Sequence, residues 1–147
     1  MKSIPCVLMR GGTSKGAFLL ADDLPKDIQK RDDCLLAIMG SGHELEIDGI
    51  GGGSPQTSKV AIISQSLSEE ADIDYLFVQV IVNERRVDTT PNCGNMLCAV
   101  GGFAIEHGWI GPYISRHFLS LNPLLVRRRR YSRGERYPSA LCGCHSL

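Results

Sequence analysis

The 147 residues carry 16 basic and 16 acidic side chains, for no net charge, and 43% of them are hydrophobic. A chain of this size buries about 68–70% of its unfolded surface, which supports one domain with its own core. No apolar run approaches the ~20 residues of a membrane helix, and the start MKSIPCVLMRGGTSKG lacks the apolar segment of a signal peptide; both point away from a membrane or secreted address.

In chain order, residues 3–9 mix β-branched and apolar side chains and read as a strand. A glycine-rich turn over 10–16 (RGGTSKG) follows, then a second apolar run over 17–20. Pro25 suits the first turn of a helix, and Ile28, Leu35, Ile38 and Met39 recur on one helical face up to Gly40. Six glycines between 40 and 56 mark a loop. Residues 60–63 and 74–82 (DYLFVQVIV) are strands, the second the strongest in the chain, with a turn at Glu84 and Arg85. Asn92 is placed to cap a helix whose apolar stripe is Met96, Leu97, Val100, Phe103 and Ala104 and whose stop is Gly108. The order β-β-α-loop-β-β-α, with strands joined mainly by turns, predicts a mixed α+β domain.

The neutral total conceals a division. Residues 1–110 hold nine cations and fifteen carboxylates, a net charge of -6, whereas residues 111–147 hold seven arginines and only Glu135, a net +6. Arginine runs such as Arg127 to Arg130 can neutralise phosphates, but the acidic body makes nucleic acid an unfavourable partner. The Arg-rich stretch has no clean hydrophobic period, and its abrupt change of usage fits a disordered tail or an out-of-frame end.

The six cysteines are too sparse for a disulfide-stapled fold, so a reducing cytoplasm is expected, with Cys6, Cys34 and Cys98 as small buried hydrophobes. Cys142, Cys144 and His145 form a C-x-C-H cluster without a second ligand pair, and no metal is expected.

Neither glycine-rich segment meets a nucleotide-binding pattern. RGGTSKG lacks the lysine directly after the second glycine of a phosphate loop, and GIGGG is followed by Ser54 where G-x-G-x-x-G needs glycine. Both segments do offer backbone that a ligand can approach, and the N–H groups together with the Thr13 and Ser14 hydroxyls would make a carboxylate cradle. If Asn92 caps the second helix, Cys93 occupies its first turn. There the helix dipole and free N–H groups favour a thiolate, and Gly94 and Asn95 leave N–H donors for an anion. Lys59 enters an apolar strand, where burial would make its amine a usable base.

The stretches MRGGTSKGAFLL (9–20), IDGIGGGSPQTSKVAII (47–63), DYLFVQV (74–80) and VDTTPNCGNML (87–97), in this order, resemble the N-terminal part of the PrpF family. That family contains 2-methylaconitate isomerases and 4-oxalomesaconate tautomerases. The resemblance covers residues 1–110 and implies a diaminopimelate epimerase-like N-terminal domain, a mostly antiparallel sheet around a central helix, truncated before the second domain. It implies a cofactor-independent 1,3-allylic proton shift on a small unsaturated di- or tricarboxylic acid. Lys59 and Cys93 would be the acid/base pair; Gly11, Gly12, Thr13, Ser14, Ser58, Gly94 and Asn95 would hold substrate carboxylates. Without the second domain the activity is expected to be impaired, and the apolar surface left uncovered favours association with a second copy. Two other readings compete: a non-catalytic carboxylate-binding remnant, and a cysteine hydrolase pairing Cys93 with His43 or His107. The second is weak, because His107 lies more than three turns along the same helix.

Overall fold

The structure, a computed structural model, describes residues 3–68 and 71–110 and the backbone of 117–122 and 125–130. Strands β1 (Val7–Gly11) and β2 (Ser14–Leu20) form a hairpin in which Gly11 pairs with Ser14. The turn is therefore only Gly12 and Thr13, much tighter than the seven residues expected. Gly12 takes φ 54°, a left-handed conformation that costs glycine nothing.

Helix α1 (Ile28–Met39) starts three residues after Pro25 rather than at it, because Asp27 is the capping side chain and accepts the Lys30 N–H at 3.0 Å. Gly40 ends it at φ 74°. Its buried face is Leu35, Leu36 and Met39, while Ile28 is exposed and does not join the expected stripe.

After α1 and the glycine loop, β3 (Lys59–Gln65) pairs parallel to β2, and β4 (Ala71–Val80) pairs antiparallel to β3. β5 (Val87–Asp88) pairs with the end of β4. The chain then forms α2 (Gly94–Glu106), with Gly108 at φ 69° just beyond it. β6 (His117–Asn122) and β7 (Leu125–Arg130) add an antiparallel hairpin through β7 to β4. Among the described residues the sheet has seven strands in the order β1-β2-β3-β4-β7-β6 with β5 beside β4. It is antiparallel apart from the β2–β3 pair. Most of the stretch expected to be disordered or out of frame, including Cys142, Cys144 and His145, lies outside the described residues. No described helix is long and apolar enough to cross a membrane.

Successive side chains of a strand point to opposite faces, so each central strand feeds two cores. Ala61, Ile63, Ile73, Tyr75 and Phe77 meet Met96, Val100 and Phe103 of α2 on one face. Val60, Ile62, Val78 and Val80 meet Leu35, Leu36 and Met39 of α1 on the other. Burial on both faces explains the continuous apolar run over 75–78 within β4. The whole expected stripe of α2 is buried.

Candidate active site

The site forms where the β1–β2 turn meets the start of α2. Glycines allow the approach: a Cβ on Gly11 would overlap the carbonyl oxygen of Asn95, and one on Gly12 would lie 2.6 Å from the Asn95 Oδ1. The Asn95 carboxamide nitrogen donates to Thr13 Oγ1 at 2.8 Å and to Ser14 Oγ at 3.5 Å. Ser14 is almost fully buried, and its Oγ stands 4.0 Å from the Cys93 Sγ.

Cys93 is the N-cap residue of α2 at φ -134°, not a residue of its first turn. The expected cap, Asn92, instead accepts the Cys93 N–H through its Oδ1 at 2.8 Å, a turn that closes before the helix begins. The N–H groups of Gly94, Asn95 and Met96 consequently begin the helix without intrahelical acceptors, and the half-buried thiol sits beside them. Seven of the anticipated residues, Gly11 to Ser14 and Cys93 to Asn95, are thus brought together.

Lys59 opens β3 on the α2 face of the sheet. Its Nζ donates to Gln79 Oε1 at 2.7 Å and lies 4.9 Å from the centroid of the Phe77 ring. Gly16, its partner in β2, has no room for a Cβ between the Lys59 carbonyl and the Met96 methyl. Lys59 and Cys93 therefore share one face of the sheet, where the Met96 methyl reaches Gly16, and no hydrogen bond joins the two side chains.

Ser58 points the other way. Its hydroxyl is fully buried and donates to Glu46 Oε2, which also accepts the Gly53 N–H at 2.9 Å. The glycines of 49–53 are likewise occupied by the protein itself: Gly49 packs on the Met39–Gly40 backbone, Gly51 on the Glu46 carboxylate and Gly52 on Thr57. Within the loop the Gly49, Ile50 and Gly51 N–H groups donate to the carbonyls of Glu46, Ile38 and Met39, so the loop wraps a buried glutamate. Ser58→Ala is expected to cost about 1–3 kcal/mol in urea unfolding by leaving Glu46 short of a donor. A loss of carboxylate affinity with unchanged stability would instead assign Ser58 to substrate.

Tyr75 was not singled out in the sequence, where it reads as one more apolar strand residue. Its OH donates to the Cys93 carbonyl at 3.4 Å. Burial first, then repulsion from negative charge on the Cys93 and Cys98 sulfurs, pushes its phenol far above the ordinary range, so it stays a neutral donor. The folded state holds this proton more tightly than the unfolded state does. Stability is therefore expected to be full below about pH 10 and to fall as pH rises past it, in an alkaline unfolding series that Tyr75→Phe makes shallower.

One expectation about the cysteines is corrected, and the weak pairing of Cys93 with a histidine finds no support. Cys6 and Cys98 are exposed rather than buried, Cys98 because it lies on the outward side of α2. His107 stacks on Phe103 at the far end of α2, and the His43 Nδ1 accepts the Leu45 N–H at 3.1 Å. Neither is hydrogen-bonded to Cys93.

A helix N-terminus carrying a thiol, faced by a hydroxyl-bearing hairpin on this mixed sheet, defines an α+β domain of the diaminopimelate epimerase-like class. The chain belongs to the PrpF family, whose description, PrpF protein, matches residues 1–118. It is 73% identical over 110 residues to the YbhH protein of Escherichia coli (strain K12), covering 75% of this chain and 31% of that one. It is 60% identical over 107 residues to a 4-oxalomesaconate tautomerase of Pseudomonas putida, covering 73% and 30%. The crystal structure of a methylitaconate-delta-isomerase superposes with a TM-score of 0.73 at 48% identity, over 76% of this chain and 29% of that one. The chain spans about three-tenths of the length of these relatives.

Proposed function

We propose that this chain supplies the Cys93 and Lys59 side of a cofactor-independent isomerase, which moves a proton across an allylic C–C=C unit of a small unsaturated di- or tricarboxylic acid. The observation that carries the reading is the thiol of Cys93 at the mouth of α2, with the Ser14 hydroxyl 4.0 Å away and the Asn95 carboxamide on Thr13. Relatives named for tautomerisation or isomerisation of oxalomesaconate and methylitaconate support the substrate class.

One group takes the proton from the sp³ carbon, and the electron pair enters the conjugated system as a dienolate. N–H donors of Gly94 and Asn95 and the hydroxyls of Thr13 and Ser14 hold the carboxylates that share this charge. The other group returns a proton to the far carbon. Electrons balance without a redox partner, and the double bond moves by one position. Cys93 and Lys59 fill the two roles in either order.

The sparse, irregular spacing of the six cysteines supports a reducing, cytoplasmic setting. The acidic body supports a small-molecule partner rather than nucleic acid, and association with a second copy belongs to the same proposal. These are the contacts that the described residues offer to substrate, and the 147-residue polypeptide by itself is expected to turn over weakly. Proton NMR of aconitate-type and oxalomesaconate-type acids in D₂O tests the reading. Deuterium should enter the allylic carbon with this chain extended to the length of its relatives. Binding of the acids with no exchange at any length would favour a carboxylate-binding protein without chemistry.

A further inference from the structure

We propose that Gln79 is a positioning residue that fixes the amine of Lys59; this rests on Lys59 being an acid/base group of the proposed reaction. The β3–β4 register sets Gln79 directly opposite Lys59. Its Oε1 accepts from Lys59 Nζ at 2.7 Å. Its Nε2 faces the carbonyl oxygens of Ser58 at 3.0 Å and of Pro55 and Val80 at 3.2 Å each.

That ring of carbonyls decides which way the amide points. Rotated by 180°, the carboxamide would set its oxygen against three acceptors with no hydrogen between them, so the acceptor end stays on Lys59. The Phe77 ring lies near the same amine, 4.9 Å from Nζ to its centroid. Gln79 also ties residues 55 and 58 to β4, which anchors the backbone from which Lys59 projects. A glutamate would reach as far, but its charge would hold the ammonium proton; the neutral amide orients the amine and leaves that proton exchangeable.

The test compares Gln79→Met and Gln79→Glu with the unaltered chain. The readout is the rate at which Lys59 is acylated by an amine-reactive reagent as pH is varied, read by peptide mass spectrometry with the other four lysines as internal references. Without an acceptor, Lys59 should react about tenfold faster at neutral pH, its profile displaced to lower pH; opposite a carboxylate it should react about tenfold slower, displaced to higher pH. Loosened structure would speed both variants together. Displacement in the same direction, or none, overturns the proposal. The Glu variant preserves side-chain length and decides the question if the Met variant fails to fold. If the opposite displacements appear but Lys59→Met leaves deuterium exchange intact in the chain extended to the relatives' length, Gln79 still positions the amine and it is the catalytic role of Lys59 that fails.

Discussion

Replacing Cys93 by alanine is expected to slow carbon–deuterium exchange by about 10²–10⁴-fold, the usual contribution of one positioned proton-transfer group. Thermal stability should change little, because the thiol is half-exposed and its contact to Ser14 is a long one of 4.0 Å. Carboxylate binding should also survive, since the hairpin hydroxyls and the first N–H groups of α2 remain. The combination matters more than the rate alone. A loss of exchange accompanied by unfolding would report a structural cysteine. Exchange that persists at the original rate would remove Cys93 from the chemistry. Serine is the useful second variant: it places a hydroxyl at the helix cap, where serine is favoured, but lacks the acidity of a thiol. An enzyme that needs a proton from Cys93 should therefore remain slow with serine while becoming slightly more stable.

The same chemistry explains which parts of the site were legible in the sequence. The stripe of Met96, Leu97, Val100, Phe103 and Ala104 declares α2 because helical burial is a local, 3.6-residue pattern. Gly12 and Cys93 stand out because turn and cap positions restrict residue type strongly, and Gly11 and Asn95 are found as their close neighbours. Partners set by register did not show. Gln79 and Tyr75 look like ordinary strand residues until β3 is aligned on β4 and α2 is laid over both, and nothing local announces the parallel β2–β3 pair. Glycine type alone does not tell which neighbour will approach. A Cβ-free backbone admits whatever lies nearest, and at 49–53 Glu46, Thr57 and the end of α1 pack against it. Cys98 did mislead. Its type favours burial, but it follows Leu97 on the opposite side of the helix face that the core selects.

Gly11→Ala is expected to have the largest effect on stability, at least about 3 kcal/mol and so at the upper end of what overpacking costs. The added methyl would occupy the position of the Asn95 carbonyl oxygen, with the Asn95 carbonyl carbon 2.8 Å and the Met96 Cα 3.1 Å away. All three are backbone atoms at the start of a helix, so no side-chain rotation relieves the overlap. Either the hairpin or the N-terminus of α2 must shift, and either movement separates Thr13 and Ser14 from Asn95 and Cys93. The variant should accordingly lose unfolding free energy in urea and carboxylate binding together. Gly94→Ala is the control. A Cβ there meets nothing within 4 Å, although the residue directly follows Cys93 and begins α2. Alanine at position 94 should leave stability unchanged or raise it slightly, because it favours the helix by up to about 1 kcal/mol over glycine. Equal behaviour of the two variants would show that the hairpin and α2 do not depend on backbone contact. It would also remove the steric reason for a glycine at position 11.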